Sequence, residues 1–262
     1  MVYRQAAGTM RYSLTDAHAH IGSTAETEER LRRRIPSMIS AGCPQEAERL
    51  EGILGQQEHK GLLIPTYGLH PWNADLDALR RMEPFLERSA LIGEIGMDSV
   101  WCDVPLGLQQ EVFEYQLVLA AGKGRPVILH TKGQEKKIAD IIRRYPNRYL
   151  LHWYSSEFWQ ENYLEMNCYC SIGPDVWWNP AVRKLARRVP SERILIETDG
   201  MSAVRWAYEK ADWRQTGSGD RPAPLTLEEA LGNTLETVAG IRGTGCLELA
   251  KQIEENFIRF CR

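Results

Sequence analysis

Eight short apolar runs, separated by segments of helical period, constrain the fold of this 262-residue chain more than any other feature. Alternation of this kind is typical of strands that pair in parallel and are joined by crossover helices. Eight such units predict a closed (β/α)8 barrel, the TIM barrel. An open doubly wound sheet has the same period, but it usually carries a Gly-rich phosphate loop after its first strand, and this chain has none there. The predicted strands span residues 13–21, 35–41, 62–69, 90–97, 126–131, 149–154, 167–173 and 193–198.

Helical periods fill the gaps between these runs and continue after the last one. Two helical segments end the chain, and a loop rich in Gly, Pro and Asp is predicted before them over residues 212–224. Chains of this length with α/β barrels commonly form one domain, so we predict a single domain over residues 1–262 with residues 1–12 as a short extension. The helical segments include residues 44–59, 108–122, 135–145, 179–189, 226–241 and 245–262.

The charge balance excludes one class of protein. The chain has 32 Lys and Arg residues against 35 Asp and Glu residues, and a net charge of −3 does not suit a strongly cationic coat for nucleic acid or membrane. No apolar run approaches the roughly 20 residues that a membrane-spanning helix needs, and the first residues lack the apolar stretch of a signal peptide. We therefore expect a cytoplasmic protein with no membrane partner.

Histidines are concentrated where strands end. Five of the six fall at the carboxyl ends of predicted strands, and that end of a TIM barrel is where its active sites are built. Asp16, His18 and His20 are spaced by two residues, so on a strand all three side chains point to the same side. The sixth, His59, lies in a polar segment and is expected at the surface. The five histidines are His18, His20, His70, His130 and His152.

Two carboxylates, Glu94 and Asp199, stand at the ends of the fourth and eighth predicted strands. Together with the imidazoles of His18, His20, His130 and His152 they exceed the ligands that one four-coordinate ion takes. This set favours two divalent ions that share one carboxylate, and Glu94, on a middle strand, is the natural bridge. Imidazole and carboxylate ligands suit Zn, Mn, Fe or Co, and they suit Mg where substrate phosphates complete the shell.

Several motifs, taken together and in order, resemble those of the TatD-type metal-dependent deoxyribonucleases. That family belongs to the amidohydrolase superfamily and has the TIM-barrel fold. The resemblance extends from about Met10 to the end of the chain. The motifs are DAHAH at 16–20, GLHPW at 68–72, IGEIGMD at 92–98, PVILHT at 126–131 and ILIETD at 194–199.

The resemblance implies a role for each candidate residue. Glu94 and Asp199 would be the catalytic carboxylates, and His70 would touch the substrate. Asp16 would support the ligating histidines from behind, since a carboxylate beside such a histidine fixes its tautomer. One ion would be held by His18, His20, Glu94 and Asp199, and the second by Glu94, His130 and His152.

The residues expected to contact substrate differ from the family pattern. Lys132 stands where family members commonly have Arg, and it can hold a phosphate without the bidentate fork of Arg. Six of the eight Trp residues lie in segments that follow predicted strands, where they either stack on nucleobases or pack the loops. Trp72 and Trp153 are the candidates for substrate contact. The six are Trp72, Trp101, Trp153, Trp177, Trp178 and Trp206.

This constellation favours hydrolysis of an anionic ester. Two divalent ions, two carboxylates and a bridging hydroxide leave a net positive centre. The ions lower the pKa of bound water toward roughly 7, so a metal-bound hydroxide is available to attack at neutral pH. Asp199 would accept the proton of the attacking water and return it to the leaving oxygen. We predict a binuclear metal-dependent hydrolase that acts on phosphodiesters, with DNA or a small phosphoester as its partner and deoxyribonuclease as the first choice.

Two other functions fit part of the same pattern. The metals could serve an amidohydrolase, esterase or lactonase that cleaves a small C–N or C–O substrate. Many C–N hydrolases of the superfamily bridge their ions with a carboxylated Lys, whereas the predicted fourth strand offers Glu94 and no Lys. A catalytically inactive barrel that binds metal or a partner through its Trp-lined mouth is the third hypothesis, and the presence of all six candidate ligands argues against it.

Overall fold

The computed structural model describes residues 12–55, 61–211 and 222–262. Its eight strands are parallel and follow one another around a single sheet in chain order. The eighth strand returns to the first, where the Asp199 amide donates to the His18 carbonyl oxygen over 3.0 Å. The predicted barrel is confirmed and the open sheet is excluded. The strands are β1 Asp16–His20, β2 Ser37–Ala41, β3 Leu63–Tyr67, β4 Ile92–Asp98, β5 Val127–Lys132, β6 Tyr149–Leu151, β7 Tyr169–Ile172 and β8 Ile194–Ile196.

Helices connect the strands, and three more of the described helices follow the last strand. Each helical segment named from the sequence contains or overlaps an observed helix, but the helix directly after β8 was not predicted. Residues 212–221 of the predicted loop, residues 1–11 of the predicted extension, and His59 lie outside the described residues. The described helices are α1 Thr24–Arg33, α2 Pro44–Leu54, α3 Leu76–Arg88, α4 Leu106–Gly122, α5 Glu135–Ile142, α6 Gln160–Glu165, α7 Pro180–Arg188, α8 Met201–Glu209, α9 Leu227–Arg242 and α10 Cys246–Cys261.

Local chemistry explains several helix starts. Ser23 begins α1 with a capping box, in which its side chain accepts from the Glu26 amide and Glu26 bonds back to the Ser23 amide. Asp75 caps α3 by accepting from the Ala78 amide over 2.8 Å. Pro44 stands in the first turn of α2, where a missing N–H costs nothing.

Apolar strand residues form the core and leave the barrel mouth to polar side chains. On β1, Ala17 and Ala19 belong to the apolar core, whereas the alternating Asp16 and His18 make polar contacts. All seven residues of β4 are buried, which is typical of a parallel strand covered on both sides. In the part of the chain that the structure describes, no helix is both long enough and apolar enough to cross a membrane.

Candidate metal centre

Polar side chains from six of the strands and the residues that follow them meet at the carboxyl end of the barrel. A cavity of about 940 Å³ opens there, and His18 lies fully buried beneath its floor. Parallel strands of a barrel direct their carboxyl ends to one face, which is why residues far apart in the sequence meet here. The predicted metal ligands that line the cavity are His20, Glu94, His130, His152 and Asp199.

The first donor cluster consists of His18, His20, Glu94 and Asp199. Glu94 Oε2 lies 3.3 Å from His18 Nε2 and 3.5 Å from His20 Nε2, and Asp199 Oδ1 lies 3.4 and 3.5 Å from the same two nitrogens. Ligands about 2.0–2.1 Å from a tetrahedral cation are about 3.3–3.4 Å apart, whereas charge-assisted hydrogen bonds measure about 2.7–2.9 Å. These separations therefore match the edges of a metal coordination shell.

Unsatisfied polar atoms support the same conclusion. His18 Nε2, Glu94 Oε2 and Asp199 Oδ1 are buried, and each has no hydrogen-bond partner among the described residues. Buried polar atoms rarely lack a partner because losing hydration without compensation is costly. A divalent cation between these atoms would satisfy all three, so the residues of the first donor cluster fit a metal ion.

The second donor cluster is built on the other oxygen of Glu94 and includes His70, His130 and His152. His152 Nε2 and His70 Nε2 lie 3.5 and 3.7 Å from Glu94 Oε1. His130 Nδ1 is only 2.6 Å from the same oxygen, which is a hydrogen-bond distance. His70, expected to touch substrate, thus joins a possible ligand set, whereas Glu94 and His130 are in direct hydrogen-bond contact.

The carboxylates and imidazoles of the two donor clusters shift one another's pKa values. Burial alone would raise the pKa of Glu94, but His152 and the other nearby imidazoles outweigh it and hold this pKa well below its usual value. Burial would lower the pKa of His18, yet Glu94 and Asp199 raise it well above the usual value. Asp199 has its pKa lowered to about 2, because the imidazoles around it, His152 foremost, outweigh its burial. Both carboxylates are therefore ionised at neutral pH and favour a cation between them.

Three of the histidines have a polar partner near the ring nitrogen that faces away from their cluster. Ser40 Oγ lies 3.3 Å from His18 Nδ1, and Asp98 Oδ2 lies 3.0 Å from His130 Nε2. Glu197 Oε1 is 3.0 Å from His152 Nδ1, although that pair is not aligned as a hydrogen bond. Partners of this kind orient ligating imidazoles.

Sequence reasoning missed both carboxylates that support ring nitrogens, Asp98 and Glu197. Asp98 stands four residues after Glu94 on the same strand, so it shares the strand face. Glu197 stands two residues before Asp199, again at even spacing. This even spacing from a predicted ligand is the signal that could have identified both residues.

Asp16 supports the site by another route than the one expected. Its oxygens accept from the Thr198 amide over 2.8 Å and from the Thr198 hydroxyl and Arg30 Nη1 over 2.6 Å each. The expected contact with a ligating histidine is replaced by these bonds, which fix the chain just before Asp199. Asp199 itself has a φ of 58°, a left-handed conformation that Asp tolerates better than most residues.

The four predicted substrate contacts all line the cavity. Lys132 Nζ donates to Ser155 Oγ over 2.8 Å. Trp72 Nε1 donates to Asp98 Oδ2, and Trp153 Nε1 donates to Asp175 Oδ1, each over 2.7 Å. Of the six Trp residues placed near the mouth from the sequence, five line the cavity, whereas Trp177 is buried away from it.

Comparison with known proteins gives one consistent family. The family model described as TatD related DNase matches residues 15–262. The uncharacterized metal-dependent hydrolase YabD of Bacillus subtilis is 27% identical over 208 residues, which are 71% of this chain and 79% of that protein. A protein of Pantoea ananatis named 3'-5' ssDNA/RNA exonuclease TatD is 26% identical over 226 residues, 81% of each chain.

Solved structures agree on the architecture. The crystal structure of YjjV, a TatD homolog from Escherichia coli K12, has a TM-score of 0.74 to this chain at 22% sequence identity. The match covers 93% of this chain and 95% of that one. At this identity the likeness concerns the fold, and it confirms the barrel.

Proposed function

The chain belongs to the TatD-related DNase family of metal-dependent hydrolases, and on that premise we propose that it cleaves phosphodiester bonds of single-stranded DNA. The printed name of the relative from Pantoea ananatis supports a single-stranded nucleic acid as substrate. The observation that carries the proposal is the first donor cluster, where four side chains lie at metal-ligand separations with three buried atoms unsatisfied.

The separations of the first donor cluster fit one divalent ion, and the residue types of the second donor cluster are those of a second ion site. His18, His20 and Asp199 would hold one ion, and His130 and His152 the other. When bound, such ions lower the pKa of water and stabilise negative charge on phosphate oxygens. His70 lies within 3.7 Å of Glu94 and is available either to the second ion or to the substrate.

Asp199 is suited to move the proton of the reaction. Its carboxylate is 18% exposed and lines the cavity, so it can meet both the metal centre and a bound substrate. With its pKa lowered to about 2, it is ionised at neutral pH and can accept a proton from the attacking water. The same carboxyl can then donate that proton to the leaving oxygen, as a general acid does.

Lys132 is positioned to meet a phosphate. Its ammonium group lines the cavity and donates to Ser155 Oγ, which leaves two further N–H donors. Among the described residues that line this cavity, Lys132 is the only Lys or Arg. Recognition of a phosphodiester would therefore combine the metal centre with one side-chain cation, which suits a short single-stranded segment better than a long duplex.

The test compares the wild type with Glu94→Gln. We expect the variant to lose metal, measured by elemental analysis, and to lose cleavage of an end-labelled single-stranded oligonucleotide. Glu46→Gln is the matched control, because Glu46 lines the same cavity but its carboxylate accepts from the Gly42 amide, and it should keep both properties. Cleavage that persists in Glu94→Gln would refute the site. Turnover of amides or lactones with no turnover of oligonucleotides at the same metal loading would refute the substrate.

A further inference from the structure

Three indole rings form one wall of the cavity. Trp101 follows β4, Trp153 follows β6, and Trp206 lies on α8, and we call this group the indole wall. The centroid of Trp206 is 6.2 Å from that of Trp153 and 5.9 Å from that of Trp101, and the ring planes meet at 78° in both pairs. These are edge-to-face contacts, which aromatic rings favour. The rings therefore hold one another at a fixed angle.

The inner ring of the wall is fixed by its surroundings. Trp153 is only 7% exposed, and its Nε1 donates to Asp175 Oδ1 over 2.7 Å. Its ring lies directly on Gly173, where an added Cβ would come within 2.6 Å of ring atoms. Asp175 is in turn held by Asn179 Nδ2 over 2.7 Å. A ring fixed in this way gives the outer two a rigid support, and preorganised groups bind with less loss of entropy.

The outer rings are open to solvent. Trp101 is 52% exposed and Trp206 is 41% exposed, although indoles usually bury most of their surface. Together they form a corner with nearly perpendicular walls, in which a flat ring can stack on one indole while its edge meets the other. Exposed apolar groups beside a cavity mark binding sites.

A cation and the metal centre flank the same wall. Lys132 Nζ lies 5.2 Å from the centroid of Trp101. At the inner end, the ring of Trp153 is 6.5 Å from the ring of His152, a member of the second donor cluster. A ligand in this corner would therefore place a flat ring on the indoles and an anionic group between Lys132 and the metal centre. A nucleotide combines these two features.

We propose that Trp101 and Trp206 form a stacking subsite for the base of the nucleotide whose phosphodiester is cleaved, with Lys132 contacting its phosphate. This inference rests on the proposed phosphodiesterase function. It adds that the enzyme selects substrates with a base next to the scissile bond, whereas a centre that recognised only phosphates would accept an abasic sugar equally well.

The first experiment measures kcat/KM for dithymidine monophosphate and for two analogues of it. In one analogue a tetrahydrofuran abasic residue replaces the 5' nucleoside, and in the other it replaces the 3' nucleoside. The wild type should prefer the base-bearing form by about 5- to 150-fold, the range expected from stacking one base. Trp101→Ala and Trp206→Ala should each lose most of this preference, because kcat/KM for the base-bearing molecule falls toward the value for the abasic one. Phe158→Ala is the control, because Phe158 is 73% exposed and does not line the cavity.

A second measurement separates this inference from the proposed function, because it needs no cleavage. Calorimetry should show that the wild type binds thymidine 5'-monophosphate more tightly than 2-deoxyribose 5-phosphate, and that Trp101→Ala equalises the two. If that pattern holds while no oligonucleotide is cleaved, the subsite stands and the proposed function fails. If DNA is cleaved while both Trp variants keep the full base preference, the subsite is overturned and the proposed function stands.

Discussion

Asp199 and Asp175 lie at the same barrel mouth, yet their surroundings move their pKa values in opposite directions. Burial acts to raise the pKa of both. Around Asp199, His152 and the neighbouring imidazoles outweigh burial and lower the pKa to about 2. Around Asp175, the neutral donors of Asn179 and Trp153 compensate only in part, and the pKa rises to about 6.

This difference in pKa shift separates two regions of the cavity. The metal side contains the two donor clusters, and the other side is the indole wall with Asp175. The metal side concentrates charge and leaves buried donor atoms unpaired, which favours cations. The side of the indole wall is built from neutral rings, and its carboxyl is already bonded to an indole and an amide. Burial alone therefore does not identify a metal-binding carboxylate; the charge and the free lone pairs around it do.

Asp199→Asn should have the largest effect of the changes that test this division. Asn tolerates the left-handed backbone at this position, so the substitution removes charge with little strain. Without a carboxylate to move the proton, cleavage of a single-stranded oligonucleotide should fall by about 100- to 10,000-fold. Steady-state kinetics and elemental analysis measure the rate and the retained metal. A rate within tenfold of the wild type would show that another group moves the proton.

Asp175→Asn should act on stability and in a pH-dependent way. The pKa of Asp175 is raised from 3.8 to about 6, so its protonated form contributes stability below about pH 4 that is lost as pH rises through about 6. The unfolding free energy of the variant relative to the wild type should therefore rise by up to about 3 kcal/mol between pH 4 and 7. Urea denaturation of the metal-free proteins measures it.

An exposed carboxylate provides the control for that pH series. Asp140 pairs with Lys136, which lowers its pKa from 3.8, so the difference in stability between Asp140→Asn and the wild type should be constant above about pH 4 and change only below it. A flat difference for Asp175→Asn over the same range would mean that Asp175 is ionised in the fold without penalty, and the contrast with Asp199 would then disappear.

The sequence predicted the barrel, because strands and helices alternate with a clear hydrophobic period. It also predicted the convergence of the histidines, because residues at even spacing on a strand point to the same side. It did not predict α8, whose cap comes from a distant element. Gly200 provides no side-chain cap, and the first amide of α8, that of Met201, donates to Glu26 Oε2 of α1 over 3.1 Å. A bond across 175 residues leaves no local signal. The position of Trp206 beside Trp101 was hidden for the same reason.

The sequence also could not predict that the two donor clusters differ in their interatomic distances. Spacing indicates that Glu94 and His130 face the same mouth, but it does not distinguish a ligand separation of about 3.3 Å from a hydrogen bond. The 2.6 Å contact between these two side chains depends on how β4 and β5 are staggered, and the register between Ile92 and Ile95 is irregular. Such details arise from packing of the whole barrel.

Asp98→Asn should weaken the second donor cluster and leave the first intact. Asp98 accepts from Trp72 and lies 3.0 Å from His130 Nε2, so it orients that imidazole. Loss of such a partner typically costs about 10- to 100-fold in metal affinity. Calorimetric titration with Zn²⁺ should show this loss in one of two binding equivalents and leave the other unchanged. Ser40→Ala, beside His18, should instead weaken the equivalent that belongs to the first cluster. Equal weakening of both equivalents by Asp98→Asn would contradict the separation of the clusters.

Gly173→Ala tests the indole wall without touching the metal side, and its effect should be the smallest. The new Cβ would come within 2.6 Å of the Trp153 ring, so the ring must move away from Asp175. Overpacking of this kind costs about 1 to 3 kcal/mol, and relaxation of the surrounding loop favours the lower end. Urea denaturation should show that loss, while metal content stays unchanged. Gly52→Ala on α2 is the matched control, because nothing lies within 4 Å of its Cβ and Ala favours a helix interior. If Gly173→Ala also removed metal, the wall and the metal centre would be one cooperative unit, and the division between them would fail.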